Sequence, residues 1–335
     1  MASDPKRSTL DFSRRYGFVR ARQLEGTYPG DARTGVWPIT QRRVSWGWGE
    51  LPESAWPYNS TSAWPPQEPA GTDKLAHDRL GVRYQRLRSL DECKFVLAHY
   101  SPVSVSLDIT ARWFDSPKGR IPEWRPGVPT VAAHAVTLIG YKDSTRQLKF
   151  ANSWGQEWGD QGFGYISYRT FERTWVEGWF YYLAGPKQTP TGPGAGLKQR
   201  AWGAPEFGGG VFHVREIVGP NEERVAWTFA IQRPYSLDVE ELFVKPVHRG
   251  RGFGRGLARM IAKLAFEAQL YPRIWVSYPD ATAENLVRVE RLFVPFGFQL
   301  REAPVRWAPF IMCSPDDELH AATLQLRQAR RRRKG

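Results

Sequence analysis

Between Val244 and Leu257 the chain reads VKPVHRGRGFGRGL, a stretch with few possible structural readings. Ahead of it, 237–244 is rich in apolar and β-branched residues; behind it, Leu257, Met260, Ile261, Leu264, Ala265 and Ala268 recur at helical spacing. The pattern predicts strand, glycine-rich turn and helix in succession. Glycines alternate with Arg251, Phe253 and Arg255, so the backbone can approach a ligand closely while amide protons and the helix N-terminus face negative charge. Arg249, Arg251 and Arg255 add cationic reach. A Walker loop would end in Gly-Lys-Ser/Thr and a dinucleotide fingerprint would read Gly-x-Gly-x-x-Gly; no register here provides either. What remains is an anion cradle of another kind, or a basic surface loop.

The neighbouring pattern narrows this. Segments 211–218 and 225–231 read as a hairpin around GPNEER, a strand follows at 273–278, and a helix runs Ala283 to Phe293 and ends at Gly297-Phe298. Arg249-x-x-Gly252-x-Gly254, preceded by a strand and Val244-x-Pro246, resembles the pyrophosphate loop of the GNAT acetyltransferases, and the element order over about 205–312 resembles that family's. The resemblance implies acetyl-CoA as cofactor. Its pyrophosphate would lie over Arg249, Gly250, Arg251, Gly252, Phe253, Gly254 and Arg255, its pantetheine along Leu242, Phe243 and Val244, and Asn285 would be a further contact. An amine, free or on a peptide or protein, is the implied acceptor. Deprotonating an ammonium needs a base. The resemblance puts Glu240 in that role, with Glu241 and Asp238 as neighbours able to take it; charged side chains on such a strand also occur as solvated edge residues. The family's usual acid, a Tyr four residues before the Gly-Phe, is Phe293 here and cannot protonate a thiolate. Water, or a tyrosine such as Tyr278, would have to serve.

The first half alternates helix and strand. Residues 10–25 show a helical period in Phe12, Tyr16, Val19 and Leu24, and a second helix is expected near 36–48. From 51 to 71, five prolines argue an ordered, irregular segment pinned by Trp56, Tyr58 and Trp64. A helix at 91–99 and strands at 102–109, 131–141 and 147–151 follow. Two polar residues interrupt these strands: His134 inside VAAHAVTLIGY, and Asn152 opening NSWGQEWGDQGFGYISY. Taken singly, each reads as a satisfied core group. Together, a strand-borne His, a hairpin, Asn-Ser-Trp-Gly and Trp-Gly-x-x-Gly-x-Gly-Tyr resemble the second half of papain-like cysteine peptidases, with RARQLEGTYPGD, ELPESAWPY and LDECKFVLAHYSPVSVSL extending the resemblance over about 10–183. It implies that His134 is a base oriented by Asn152 and shielded by Trp154. The family's nucleophilic Cys and oxyanion Gln lie on a helix before RARQLEG, and no matching segment is present. Cys93 lies in a helix with no oxyanion motif and reads as core packing, and Ser45 lacks an elbow motif. The implied state of His134, Asn152 and Trp154 is therefore vestigial.

The expected fold class is α+β with two domains: a truncated papain-like domain over 1–183, a Pro/Gly/Thr-rich linker over 184–200, a GNAT α/β acyltransferase domain with a mixed central sheet over 201–312, and a C-terminal helix and basic tail over 313–335. At 335 residues, two domains are the natural division. The net charge of +13 falls to +7 without Arg327, Arg330, Arg331, Arg332, Arg333 and Lys334, so contact with nucleic acid is expected only through that tail. Two cysteines cannot build a disulfide framework or a cysteine-based zinc site, and no metal is expected. No apolar run approaches membrane-spanning length, so the expectation is a cytoplasmic protein without membrane contact. The leading function is acetyl-CoA-dependent N-acetyltransfer, with the papain-like domain binding a substrate, a protein partner or a second copy over its uncovered surface. The alternatives are a cysteine peptidase whose nucleophile comes from outside the chain, and a non-catalytic binding protein.

Overall fold

The computed structural model describes residues 11–59, 63–78, 82–183, 198–205, 210–220, 223–303 and 308–313. The chain divides into two compact units, Met1–Gly185 and Pro186–Gly335. The expected linker residues 184–197 and the expected C-terminal helix and basic tail from 314 onward lie outside the described residues.

The first unit opens with α1 (Arg14–Leu24) and α2 (Pro38–Gly47). The Ser13 hydroxyl accepts the Tyr16 amide at 3.1 Å and donates to the Trp56 carbonyl at 2.6 Å, so one side chain both caps α1 and ties it to the proline-rich segment. α1 packs on α2 through Tyr16, Val19, Ala21 and Val44, with Leu51 and Trp56 completing the cluster. Trp56 is buried and the Trp64 indole N–H donates to the Gly30 carbonyl at 2.7 Å, whereas Tyr58 is 58% exposed and does not pin the segment. The helix α3 (Thr72–His77) leads to a six-stranded antiparallel sheet. Its strands are β1 (Val82–Leu87), β2 (Val103–Ile109), β3 (Ala132–Lys142), β4 (Gln147–Ala151), β5 (Phe163–Ser167) and β6 (Trp175–Leu183), in spatial order β1-β6-β2-β3-β4-β5. Two helices, α4 (Leu90–His99) before β2 and α5 (Tyr168–Thr174) before β6, complete the unit.

Charge is buried in this unit. Arg22, 0% exposed, donates to the carbonyls of Asp31 and Thr34 at 3.0 Å each and to the Thr27 hydroxyl at 2.7 Å, so a helix arginine organises the following loop. On α2, Arg42 lies 4.1 Å over the Tyr181 ring, and burial pushes its guanidinium down to about 10. Arg86 of β1 pairs with Glu177 of β6 at 3.5 Å and stacks 4.1 Å over Trp179, whose indole N–H donates to Glu177 at 2.9 Å. Such a pair offsets its own desolvation only when both partners stay, so removing one costs about 3–5 kcal/mol.

The second unit is a seven-stranded sheet in the order β12-β13-β11-β10-β9-β8-β7. In chain order these are β7 (Lys198–Pro205), β8 (Val211–Val218), β9 (Arg224–Gln232), β10 (Ser236–Val244), α6 (Phe253–Glu267), β11 (Tyr271–Val276), α7 (Ala283–Phe293), β12 (Gln299–Glu302) and β13 (Phe310–Cys313). All neighbouring strands run antiparallel except β10 and β11, which the α6 crossover makes parallel, so the sheet is mixed. Residues 198–200, placed in the linker by composition, begin β7, where pairing with β8 holds them. Cys313, placed in the tail, ends β13 and is buried in the sheet. The strand expected at 273–278 runs instead from Tyr271 to Val276, because its pairing with β10 starts at Tyr271.

The amphipathic α6 buries Leu257, Ala258, Ile261 and Ala265 against β9, β10 and β11. Full burial of one leucine or isoleucine contributes about 1.5–3 kcal/mol, enough to hold a helix that has no side-chain cap. α7 is capped by Thr282, whose hydroxyl accepts the Asn285 amide at 3.2 Å, and its Phe293 packs edge-on against Phe298. Among the described residues no helix is long and apolar enough to cross a membrane.

Candidate functional sites

In the first unit β3 and β4 bring His134 and Asn152 together. They are antiparallel, with a register shift between Leu138 and Gly140, and Asn152 follows the last residue of β4. His134 Nε2 lies 2.8 Å from Asn152 Oδ1. The Ser153 backbone N–H donates to the same oxygen at 2.8 Å, which fixes which end of the amide faces the imidazole. An oxygen at that place requires Nε2 to carry the proton, so Nδ1 is the basic nitrogen. Trp154 stacks on the imidazole, centroids 4.6 Å apart and planes at 29°, and is itself stacked on Phe114 at 5.0 Å and edge-on to Trp158 at 5.3 Å. Trp158 is anchored through its indole N–H to the Trp113 carbonyl at 3.0 Å. The three residues named from sequence therefore lie together, with the imidazole oriented by Asn152 and partly covered by Trp154.

No thiol accompanies it among the described residues. Cys93 is 0% exposed on α4, and burial pushes its thiol well above the ordinary range. Cys313 is equally buried, in the other unit. Ser45 is buried on α2 and its hydroxyl donates to the Gln41 carbonyl at 3.2 Å, so neither it nor Cys93 is placed as a nucleophile.

In the second unit the site is made by two strands that part. β10 pairs with β11 only from Ser236↔Tyr271 to Val239↔Ile274, while its pairing with β9 continues to Val244↔Ala226. At the point of parting the β9–β10 register shifts between Val239 and Glu241, so Glu240 is the bulged residue. Leu242, Phe243 and Val244 thus keep β9 on one edge and have no β11 pairing on the other. Glu240 and Glu241 are both buried, at 8% and 3% exposed. Asp238 lies 3.9 Å from both Arg233 and Arg273, which engages it as a counter-ion rather than a free base. Phe293, standing where an acid was sought, is 2% exposed in the core beneath the sheet.

Beyond β10 the chain turns through Pro246–His248 into α6. Gly250 and Gly252 have φ of +79° and +84°, left-handed values that a side chain resists, and Gly252 is the N-cap. A β-carbon at either would meet nothing within 4 Å. The cradle is therefore open, and the first amides of α6 have no intrahelical partners. Arg249 does not extend into it: its Nε donates to the Val244 carbonyl at 3.2 Å and its guanidinium lies 5.9 Å over Phe243, fastening the turn to the strand. Arg251 and Arg255 are exposed at the rim, and Phe253 is half-buried against the cluster of Ile217, Val225, Ala226 and Leu257. A β-carbon at Gly254 would make only ordinary contacts with Leu292 and Val244, so the packing of α6 on its neighbours leaves room for a methyl there. Asn285 sits at the start of α7, but its side-chain amide donates to the Asp280 carbonyl at 2.8 Å, holding the preceding turn. His248 went unnoticed in the sequence; it flanks the turn, and burial together with Arg251 and Lys245 lowers its pKa.

Comparison with known proteins finds a family match in each unit. The papain family cysteine protease profile matches residues 50–178, and the acetyltransferase (GNAT) family profile matches residues 206–298. Mexicain from Jacaratia mexicana is 40% identical over 81 residues, 24% of this chain, and a thiol protease aleurain-like from Arabidopsis thaliana is 29% identical over 130 residues, 34% of this chain. The chain spans 36% of the length of each. Among solved structures, xylellain, a cysteine protease from Xylella fastidiosa, is 25% identical with a TM-score of 0.47, covering 52% of this chain and 70% of that one. An acyl-CoA N-acyltransferase from Klebsiella pneumoniae is 18% identical with a TM-score of 0.26, covering 31% and 72%. Each profile falls within one compact unit, and the chain joins a papain-family domain to a GNAT-family domain.

Proposed function

We propose that the second unit transfers an acetyl group from acetyl-CoA to an amine on a peptide or protein, and that the first unit binds the substrate or a partner without cleaving it. The observation that carries the reading is the parting of β10 from β11 directly ahead of an open, positively charged cradle at the start of α6. Unpaired strand backbone at Leu242 to Val244 suits the amides of a pantetheine arm, and the amides at Gly252 to Arg255 suit its pyrophosphate. The thioester carbon would then lie near the bulge, where Glu240, or Glu241 beside it, takes a proton from the attacking ammonium. The amine nitrogen would form the amide bond as the carbon–sulfur bond breaks, and its second proton would pass through water to the departing thiolate. Calorimetric titration with acetyl-CoA tests the cofactor, and acetylation of a peptide library followed by mass spectrometry tests the acceptor. Absence of binding refutes the reading.

A second reading rests on the 2.8 Å contact of His134 with Asn152 under Trp154, an arrangement suited to activating a thiol. In that reading the thiol is supplied by another chain, and the first unit is a peptidase completed in trans. Peptide cleavage that is absent from the purified chain, appears on adding a chain that carries a cysteine-bearing helix, and is lost on His134→Ala would favour it over a binding role.

A further inference from the structure

Two adjacent and chemically identical carboxylates, Glu240 and Glu241, stand where β10 parts from β11, and both are buried. The β9–β10 register leaves one extra residue between Val239↔Ala230 and Leu242↔Thr228, so Phe229 is the single residue opposite the two glutamates. Glu241 takes that partner and Glu240 is bulged. The converse arrangement, with Glu240 opposite Phe229 and Glu241 bulged, keeps every other pair of the ladder in place. No apolar side chain would change face, so the hydrophobic pattern that ordinarily fixes register does not choose between the two. A bulge re-aims a side chain, and the choice therefore decides which carboxylate turns to the parted edge.

A specific contact does choose. Thr228, 2% exposed, precedes Phe229 on β9 and donates its hydroxyl to the Glu241 carbonyl at 2.7 Å. The bond ties the peptide unit that leaves the bulge to β9 while Glu241 stays opposite Phe229. Moving the bulge to Glu241 would turn that carbonyl away, leaving a buried hydroxyl and a buried carbonyl each short of a partner. Phe243 against Trp227, ring centroids 4.8 Å apart, fixes the pair beyond Leu242, so the change is not passed along the strand. We infer that Thr228 is a positioning residue for acetyl transfer: by pinning the bulge on Glu240 it makes that carboxylate, and not Glu241, the base. The inference rests on the acetyltransferase reading, which leaves the two glutamates open.

The pH dependence of acetyl transfer by the full chain, with acetyl-CoA and a library of lysine-containing peptides as probes, tests it. With Thr228 in place, Glu240→Gln is expected to abolish the acidic limb and Glu241→Gln to keep it. Thr228→Val removes the hydroxyl at nearly constant volume and lets the bulge exchange between the two positions. The double variant Thr228→Val with Glu240→Gln should then regain an acidic limb, carried by Glu241. It should also transfer about two- to tenfold faster than Glu240→Gln alone, the range one hydrogen bond supports. Thr228→Ser, which keeps the hydroxyl, should leave the limb of Glu240→Gln absent. A limb lost on Glu241→Gln instead of Glu240→Gln, or one that stays absent from the double variant, overturns this inference alone. The first of these readouts needs no change at Thr228, so it stands even where Thr228→Val fails to fold. If acetyl-CoA does not bind and no peptide is acetylated, the acetyltransferase reading falls, and this inference with it.

Discussion

Replacing Gly252 by alanine separates a structural from a ligand-binding role for the turn ahead of α6. The residue sits at φ +84° and ψ −1°, and an added β-carbon meets no atom within 4 Å. The cost to the protein is therefore backbone strain alone. A left-handed L-residue costs about 1–2 kcal/mol. The stiffer unfolded chain returns about 0.4–1 kcal/mol, leaving a net loss near 1 kcal/mol. Gly26, at φ +67° and also with nothing within 4 Å, is the matched control in the other unit. Gly26→Ala should lose comparable stability to denaturant. The two should differ in cofactor binding. The new methyl of Gly252→Ala fills the space in front of the α6 amides, and each charge-assisted hydrogen bond lost there is worth about 1.5–3 kcal/mol. Loss of two such bonds weakens acetyl-CoA binding by roughly a hundredfold or more at 1.4 kcal/mol per decade. Calorimetry reads the affinity and urea unfolding reads the stability. If Gly252→Ala binds acetyl-CoA as tightly as Gly26→Ala does, the cradle is not the pyrophosphate site.

Three further outcomes follow. Glu240→Gln should abolish the acidic limb of the pH profile for acetyl transfer, and an unaltered profile in this variant moves the base to Glu241 or to water. Asn152→Ala should release His134 from its Nε2–H tautomer, seen as averaging of the two imidazole ¹⁵N shifts; retention of the original pattern would mean that Asn152 does not set the tautomer. Burial raises the Glu50 carboxyl above its ordinary 4.5, so its protonated form is favoured in the folded state. The contribution it makes is full below 4.5 and is lost as pH rises through the raised folded value. Glu50→Gln should therefore flatten the fall in stability over that window in urea unfolding at a series of pH values, and an unchanged slope would place the effect elsewhere.

Much of the second unit could be read locally. α7 runs from Ala283 to Phe293 as expected from the sequence, and the Gly-rich turn opens α6 as its composition requires. His134 and Asn152 were also legible as a pair, because strand, hairpin and Asn-Ser-Trp-Gly follow one another within a short segment. These features depend on spacing, caps and turn residues, which act over a few positions and leave a pattern in the chain.

What the sequence could not decide was who meets whom at long range. Nothing local shows that β10 leaves β11 at Val239, that the bulge falls on Glu240, or that Asp238 is held between Arg233 and Arg273. The helical period of α2 is indifferent to Arg42 lying buried over Tyr181, far along the chain. Asn285 matched a ligand-contacting position in sequence, yet its amide donates to Asp280 because the turn before α7 brings that carbonyl within reach. Register and burial are settled by the free energy of packing the whole sheet, where shifting one strand by a residue exchanges its two faces. Helix, strand and cradle were therefore written in the sequence, while the bulge at Glu240, the ion pairs of Asp238 and the open strand edge depended on the tertiary structure.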